Sequence, residues 1–369
     1  MLNVKLVDGP PQEIREFDDE VVNHLTGEDV EVIREIFRTP LTGSYNWDYE
    51  DANAKIRKLY ELGKRFNWDA QMDVAWDTPF PHTEYPSAPE MNAYLGNPKY
   101  EALSPEDKLK FAWRSQAQTL SQFMHGEQGA MLVASQLVSC APTFDAKLYA
   151  SSQTFDEARH VEVFHKYLVE RCKTIYPINP NLKILLDKVL TDERWDLKFI
   201  GMQILIEGLA LAAFQSIHMT TRDPLLRQIV ELVMRDEGRH VAFGVNYLEN
   251  WIRALPEHEI EERAQFAYEA CVIMRERLFD TEVATEFGFT RDEAREINHN
   301  AATGQAFRDF LFERMIPNLK RIGLLTESVR PKFEALGVLK FEDAVHDGMI
   351  DWASLEKPLP VGTLAIAAE

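Results

Sequence analysis

A five-residue pattern that occurs twice constrains this chain of 369 residues more than any other feature. Residues 156–160 read Asp-Glu-Ala-Arg-His, and residues 236–240 read Asp-Glu-Gly-Arg-His. On a helix, a Glu and a His three positions apart lie on one face, about one turn apart, so each copy offers two metal-binding groups together. Glu-x-x-His alone is uninformative, because chance supplies about one copy in a chain of this length. Two copies of the longer pattern are not expected by chance.

Two other Glu-x-x-His pairs occur, Glu162 with His165 and Glu296 with His299. Neither has an Asp before its Glu or an Arg before its His. Glu162 also follows Glu157 by five residues, which places it about 140° further round the same helix. We therefore predict that these two pairs are solvated or structural.

A single Glu precedes each motif at a matched interval, Glu127 30 residues before Glu157 and Glu207 30 residues before Glu237. Both single glutamates lie in apolar stripes. The flanking residues are Leu120, Phe123, Met131, Ala134 and Val138 for the first, and Ile200, Ile204, Leu211 and Phe214 for the second. A carboxylate in such a stripe is costly unless a cation meets it, so the matched pair indicates a shared cation.

The rest of the pattern predicts an all-α protein. Ser104-Pro105 is typical of a helix start, and Pro142 and Asp223-Pro224 would separate two pairs of long helices. The predicted helices lie near 105–140, 144–174, 192–220 and 224–250, with shorter ones near 182–190, 257–285 and 291–315. In each pair, the first helix runs about 13 residues, roughly 20 Å, from its single Glu to the turn. The second helix runs back about 13 residues from the turn to the Glu of the motif. All six side chains would then meet at one level of a four-helix bundle: Glu127, Glu157, His160, Glu207, Glu237 and His240.

Four carboxylates and two imidazoles form the ligand set of a two-metal site in such a bundle. Carboxylate oxygens with one imidazole for each metal suit iron or manganese better than zinc or copper. We therefore expect a cofactor of two iron ions, with Mn/Fe as the alternative.

At these residues the sequence resembles the ferritin-like di-iron carboxylate superfamily, over roughly residues 105–250. The doubled motif and the 30-residue interval are most similar to the hydroxylase subunits of bacterial multicomponent monooxygenases. The resemblance implies that one metal is bound by Glu127, Glu157 and His160 and the other by Glu207, Glu237 and His240, with some glutamates bridging. It also implies that Asp156 and Asp236 accept hydrogen bonds from the imidazoles, and that Arg159 and Arg239 balance the acidic charge.

Three positions depart from relatives in the superfamily. Phe164 stands where radical-generating ribonucleotide reductase subunits have a tyrosine, which argues against a tyrosyl radical. Leu211 stands where the monooxygenases have a threonine, so the usual proton-relay position is apolar. Val233 stands where N-oxygenating relatives add a third histidine.

The resemblance implies a dioxygen-activating non-haem di-iron oxidoreductase, an oxygenase or hydroxylase of a small organic or acyl-type molecule. The alternatives are a desaturase, an N-oxygenase, an aldehyde-processing enzyme, or an iron-oxidising ferritin-like protein. Small residues around Glu127 and Glu207 would either line a cavity for an apolar substrate or allow close helix packing. Because no nucleotide-binding glycine motif is present, we expect an external electron donor, a ferredoxin or a flavin reductase.

Charge and composition limit the other partners. The formal charge is -20, from 40 Lys and Arg against 60 Asp and Glu, which disfavours nucleic acid. No N-terminal leader and no uninterrupted apolar run of about 18 residues is present, so we expect no membrane span and a cytoplasmic protein. The three cysteines are widely spaced, as expected for buried thiols in a reducing compartment. Long exposed helices would favour a homodimer.

The sequence divides into four predicted parts. Residues 1–100 are rich in aromatic residues and proline, which predicts an N-terminal embellishment that covers apolar surface. The bundle follows at 101–250, additional helices at 251–355 and a loose tail at 356–369.

Overall fold

Helices make up most of the computed structural model, which describes residues 15–16, 35–39, 41–50, 53–279, 281–345 and 347. The α-helices are α1 (Ala54–Arg65), α2 (Pro98–Glu101), α3 (Pro105–Cys140), α4 (Phe144–Tyr167), α5 (Pro180–Thr191), α6 (Trp195–Phe199), α7 (Glu207–Thr220), α8 (Pro224–Ala254), α9 (Glu257–Arg277), α10 (Glu282–Glu286), α11 (Arg291–Asn300), α12 (Ala302–Ile322) and α13 (Arg330–Ala335). The described part has two short strands, β1 (Arg15–Glu16) and β2 (Thr174–Ile175), paired antiparallel. The all-α prediction is confirmed, and the predicted tail at 356–369 lies outside the described residues.

Capping residues fix where the bundle helices begin. The Ser104 side chain accepts a hydrogen bond from the Asp107 amide at the start of α3, with Pro105 in the first turn. Thr143 caps α4 in the same way, and Asp223 caps α8 ahead of Pro224. These residues satisfy backbone N–H groups that the first helical turn leaves without partners. The two turns predicted at Pro142 and at Asp223-Pro224 therefore join α3 to α4 and α7 to α8.

The four helices that carry the six predicted side chains pack as two hairpins. Helix α3 lies along α4, α7 lies along α8, and α4 contacts α8. Two aromatic layers fill the interior at different heights. Phe123, Phe164 and Phe214 form one layer, with ring centroids 4.4 to 6.3 Å apart. Tyr149, Phe199 and Phe243 form the other, with centroids 4.5 and 4.7 Å apart.

Four predicted helices have different limits in the structure. The helix predicted at 144–174 continues beyond Tyr167 as a π-helix, Leu168–Cys172, and the left-handed Lys173 (φ 55°) ends it. The stretch predicted at 192–220 is α6, a π-helix at Ile200–Ile206 and α7. Close packing accompanies this change, because a Cβ at Gly201 would lie 2.4 Å from Val189 Cγ2.

The other two differences lie after the bundle. The helix predicted at 257–285 divides into α9 and α10, and the helix predicted at 291–315 divides into α11 and α12. Ala301 has an extended backbone (ψ 128°), and its amide bonds back to the Ile297 carbonyl, so it ends α11 and starts α12 in a new direction. Helix α9 packs on α5, and α12 packs on α7 and α8.

The described part of the N-terminal segment packs on the bundle, and the division of the chain into four parts stays a prediction. Helix α1 packs on α4 and α8, and the segment that follows buries Trp68, Tyr94 and Tyr100. Its proline-rich part runs past the turn between α7 and α8, where the Ala88 amide bonds to the Thr220 carbonyl.

One stretch, Trp195–Thr220, is long and apolar enough to cross a membrane, among the residues that the structure describes. An 18-residue window within it has a mean hydropathy of 1.7, and the whole of this window is buried by the surrounding helices. Such burial is typical of the central helix of a bundle.

Candidate metal centre

The bundle brings all six predicted side chains together between the two aromatic layers. Glu127 comes from α3, Glu157 and His160 from α4, Glu207 from the first turn of α7, and Glu237 and His240 from α8. All six are buried, at 3% exposure or less. Two overlapping groups have metal-binding atoms within 4.8 Å of one another: Glu127, Glu157, His160 and Glu237, and Glu157, Glu207, Glu237 and His240. Glu157 and Glu237 belong to both groups, so either could bridge two ions.

Both imidazoles direct the same ring nitrogen at the carboxylates. His160 Nδ1 lies 3.1 Å from Glu237 Oε1, 3.2 Å from Glu157 Oε2 and 3.5 Å from Glu127 Oε2. His240 Nδ1 lies 3.1 Å from Glu157 Oε1 and 3.2 Å from Glu237 Oε2. The two motifs are thus related by an approximate twofold arrangement, with each Nδ1 available to a metal.

The other ring nitrogen of each histidine bonds to an aspartate of the opposite motif. His160 Nε2 lies 3.1 Å from Asp236 Oδ2, and His240 Nε2 lies 3.3 Å from Asp156 Oδ2. A carboxylate that accepts a hydrogen bond from Nε2–H fixes the neutral tautomer in which Nδ1 carries a free lone pair. Both aspartates bond to imidazoles as the resemblance implies, but each does so across the helix interface.

Two arginines close a buried ring of charges around these aspartates. Arg159 Nη2 lies 2.6 Å from Asp156 Oδ1 and 3.0 Å from Asp236 Oδ2. Arg239 Nη2 bonds to Asp236 Oδ1 and lies 3.1 Å from Asp156 Oδ2. Two positive and two negative groups therefore balance within the ring, as buried charges require.

The two remaining Glu-x-x-His pairs lie at the surface. Glu162 is exposed and accepts a hydrogen bond from Gln71, and His165 is exposed on the same helix. Glu296 and His299 are exposed on α11. None of the four belongs to the buried cluster.

The model of one protein family, described as p-aminobenzoate N-oxygenase AurF, matches residues 49–323, which is most of the chain. The chain belongs to the AurF family. No curated protein matches the sequence.

Two solved structures of R2-like ligand-binding oxidases, both tyrosine-to-phenylalanine variants with reconstituted Mn/Fe cofactors, are similar in fold. One is 17% identical with a TM-score of 0.50, covering 75% of this chain and 95% of that one. The other is 18% identical with the same TM-score and coverage. The predicted ferritin-like bundle is thereby confirmed.

Membership of the AurF family makes the protein a dioxygen-activating di-metal oxidoreductase, as predicted, and supports the N-oxygenase alternative. The narrower similarity to bacterial multicomponent monooxygenases stays a prediction.

Several polar residues at the centre were not predicted from the sequence. Gln153 Nε2 donates to Glu157 Oε1 (3.0 Å) and to Glu207 Oε1 (3.3 Å), and Gln203 Nε2 donates to Gln153 Oε1 (3.2 Å). Gln153 lies one turn before Glu157 on the same face, a spacing that could have indicated it. Trp68, from the N-terminal segment, donates its indole N–H to Asp236 Oδ2 (2.8 Å), and no sequence pattern points to that contact.

Two of the four buried glutamates and both imidazoles have raised pKa values, whereas the neighbouring imidazoles lower the pKa values of Glu157 and Glu237 against the effect of burial. Burial raises the pKa of Glu127 and of Glu207 well above the usual carboxyl range, and neighbouring carboxylates add to the effect. Burial would lower the pKa of His160, but its hydrogen bonds to Asp236 and Glu127 raise it well above the usual value. Glu157 and Glu237 raise the pKa of His240 in the same way against the effect of burial.

The donor set fits two hard or borderline cations. Glu237 Oε1 is buried and accepts no hydrogen bond from the described residues, although it faces His160 Nδ1. Glu127 and Glu207 are held in the interior with carboxylates as neighbours, which is costly without positive charge. Two divalent cations would neutralise the four carboxylates and give the orphaned oxygen a partner.

We expect metal loading of the apoprotein to strengthen as the pH rises. Glu127, Glu207, His160 and His240 all have raised pKa values, so each must lose a proton before it can bind a cation. Lower pH therefore favours the protonated, metal-free state. Titrating apoprotein with Fe(II) without dioxygen, at several pH values in weak buffer, measures both affinity and released protons. Affinity that is independent of pH, with no proton release, would contradict this expectation.

The small residues near the two single glutamates serve different purposes. A Cβ at Gly129 would lie 2.4 Å from Leu186 Cδ2, so close helix packing accounts for this glycine. Gly126 and Gly208 are each next to a glutamate of the cluster, and such a Cβ at either position would meet no atom within 4 Å beyond the adjoining residues and the nearby backbone of its own helix. Gly208 is buried, so open space lies inside the bundle beside Glu207.

The three departures from other superfamily members are all buried. Phe164 belongs to the aromatic layer beside the centre, and the nearest tyrosine along the helix, Tyr167, donates its hydroxyl to Asp223 (2.7 Å). Val233 lies one turn before Glu237 on α8 and is fully buried. Leu211 is also buried, at 5% exposure.

Proposed function

We propose that this protein transfers oxygen from dioxygen to the amino nitrogen of a small aromatic amine. One observation carries the proposal: the six predicted residues converge in one buried cluster within a chain that matches the AurF family model over residues 49–323. The family description supplies the substrate class, and the cluster supplies a place for the metal ions that the chemistry needs.

In this proposal Glu127, Glu157 and His160 hold one ion, and Glu207, Glu237 and His240 hold the other. Glu157 and Glu237 are within reach of both positions. Two iron ions are proposed, with Mn/Fe as the alternative, because carboxylates and imidazoles suit both metals. The ions supply the activation of dioxygen when they are bound.

The surrounding residues orient the ligands and exclude water. Gln153 donates to Glu157 and Glu207 and so limits how far these carboxylates can turn. The aspartate and arginine ring holds each imidazole with Nδ1 toward the cluster. The aromatic layers above and below the centre are buried, so a substrate would react in a largely dry cavity.

The test is turnover of p-aminobenzoate and related anilines by iron-loaded protein with a chemical reductant and isotopically labelled dioxygen. We expect hydroxylamine or nitro products that carry the label on nitrogen. The Glu127→Ala variant should give no labelled product. Amines that stay unchanged while dioxygen is consumed would contradict the proposal.

Hydroxylation of carbon is the second candidate, and Val233 favours it. N-oxygenating relatives carry a third histidine at this position, whereas here a buried valine leaves one imidazole for each proposed metal position. The same turnover experiment separates the two candidates, because hydroxylation places the label on a ring or side-chain carbon.

We further propose an external electron donor, a ferredoxin or flavin reductase, together with a homodimer in the cytoplasm. The absence of a nucleotide-binding glycine motif from the sequence supports the external donor. Light scattering of the purified protein tests the dimer. Reduction of the metal-loaded protein by a ferredoxin and by a flavin reductase tests the external electron donor.

A further inference from the structure

The aspartate, arginine and histidine groups around the centre form two nearly equivalent halves. In one half, Asp236 accepts from His160 Nε2 and Arg159. In the other, Asp156 accepts from His240 Nε2 at 3.3 Å and from Arg239 at 3.1 Å. Each aspartate is bonded to both arginines, so the ring by itself treats the two histidines alike.

Trp68 breaks this equivalence. Its indole Nε1 donates to Asp236 Oδ2 at 2.8 Å, the same oxygen that accepts from His160 Nε2 at 3.1 Å and from Arg159 Nη2 at 3.0 Å. Among the described residues, Asp156 receives no corresponding donor from outside the two motifs. Three donors therefore compete for one oxygen of Asp236, whereas Asp156 Oδ2 serves only His240 and Arg239.

The other contacts of Trp68 and of its neighbour Asn67 also involve the half of the centre that contains His160 and Arg159. The Trp68 ring lies nearly parallel to the His160 ring, with 15° between planes and 6.3 Å between centroids. The Arg159 guanidinium stacks over the indole at 4.8 Å and also donates to Asn67 Oδ1. Trp68 is only 6% exposed, so these contacts are shielded from water.

The segment that carries Trp68 is fixed to the bundle from both sides. Gln228 of α8 accepts a hydrogen bond from the Ala75 amide (2.9 Å) and donates to the Asp73 carbonyl (3.0 Å). Gln71 contacts Glu162 and Lys166 of α4. The indole is therefore held by chain that lies outside the four bundle helices.

We infer that Trp68 is a positioning residue that makes the two metal positions unequal. This rests on the ligand set of the proposed function. A carboxylate that shares its charge with an extra donor accepts less strongly from an imidazole N–H, and the imidazole becomes a weaker metal ligand. His160 is then the weaker of the two histidine ligands, so the position at His160 binds its ion less tightly and fills second.

The test compares Trp68→Phe with Trp76→Phe. Phenylalanine at position 68 keeps a ring beside His160 and removes the N–H. Trp76 is a matched control in the same segment, because its indole donates to the Ala70 carbonyl (2.7 Å) and its ring contacts the Lys166 ammonium group, 4.2 Å from the ring centroid. Calorimetric titration with Fe(II) without dioxygen and Mössbauer spectra of the loaded protein measure the two positions separately.

We expect the wild type to load in two unequal steps and to show two distinct iron signals. In Trp68→Phe the weaker position should tighten, so that the ratio of the two dissociation constants falls by about 10-fold and one iron signal moves. Trp76→Phe should match the wild type. Trp68→His, which restores a ring N–H, should recover part of the inequality.

The contrary outcomes distinguish failure of the proposed ligand set from failure of the role of Trp68. A wild type that binds no metal would overturn the proposed ligand set itself. A wild type that binds two ions in equal steps would overturn only the role of Trp68. An unchanged ratio in Trp68→Phe, or equal weakening of both steps, would also overturn that role, because loss of the N–H donor to Asp236 would then have no selective effect on the position at His160.

Discussion

Glu157→Ala is expected to reduce the metal content of iron-reconstituted protein from about two ions per chain to well below one. Glu157 belongs to both groups of metal-binding atoms, with Oε1 at 3.1 Å from His240 Nδ1 and Oε2 at 3.2 Å from His160 Nδ1. Its loss would therefore remove an oxygen from each position and leave Glu237 as the one glutamate of the cluster that is shared by both groups. Elemental analysis after removal of loosely bound iron measures the change.

The chain contains its own control for this experiment. Glu162 and His165 lie on the same helix with the same spacing as Glu157 and His160, but both are exposed. Glu162→Ala and His165→Ala should keep about two ions per chain, like the wild type. Equal metal content in Glu157→Ala and the wild type would exclude the cluster as the binding site, and loss of metal in Glu162→Ala would place binding elsewhere.

The cluster could be located from the sequence because regular helices convert spacing into position. Glu127 and Glu207 each precede a motif by 30 residues, and α3, α4 and α8 follow the expected α-helical path through the centre. Local capping residues fix the starts of these helices, and capping chemistry depends only on neighbours in the sequence. The two helical hairpins and the positions of the six residues therefore follow from helix spacing and capping, which act in the same way in both hairpins.

The polar surroundings depend on contacts that sequence spacing does not encode. Trp68 and Asp236 are 168 residues apart, and the bonds from His160 to Asp236 and from His240 to Asp156 span 76 and 84 residues. Which aspartate meets which histidine depends on how α4 rotates against α8. The sequence pattern alone places each Asp next to the Glu of its own motif and does not show which histidine it bonds to.

The π-helix before Glu207 shows a second reason for an incomplete prediction. Hydrophobic periodicity predicts one helix over 192–220, because every residue of Ile200–Ile206 is buried and apolar or amide-bearing. Close packing accompanies the wider turn, since a Cβ at Gly201 would lie 2.4 Å from Val189 Cγ2 and 3.3 Å from Phe266 Cζ. The π-helix changes the direction in which the Glu207 side chain projects from the helix. A prediction that assumes 3.6 residues per turn throughout does not include this change.

Arg239→Met is expected to destabilise the metal-free protein by about 3 to 5 kcal/mol. Arg239 is 3% exposed and pairs with Asp156 and Asp236, which are 2% and 0% exposed. Methionine keeps much of the side-chain volume but removes one of the two cations that balance two buried carboxylates. One negative charge is then left in the interior with little water to solvate it. Urea unfolding followed by circular dichroism measures the loss.

Arg235→Met on the same helix provides the comparison. Arg235 lies one turn earlier, and its guanidinium pairs with Glu231 at 3.1 Å, where both side chains are partly open to water. Water can solvate Glu231 once the arginine is gone, so we expect a loss of about 1 kcal/mol or less. Equal destabilisation by the two substitutions would mean that helix packing by the arginine stems, rather than charge balance around the buried aspartates, is what Arg239 contributes. A much larger effect of Arg239→Met would assign the stability of the centre to the ring of two aspartates and two arginines.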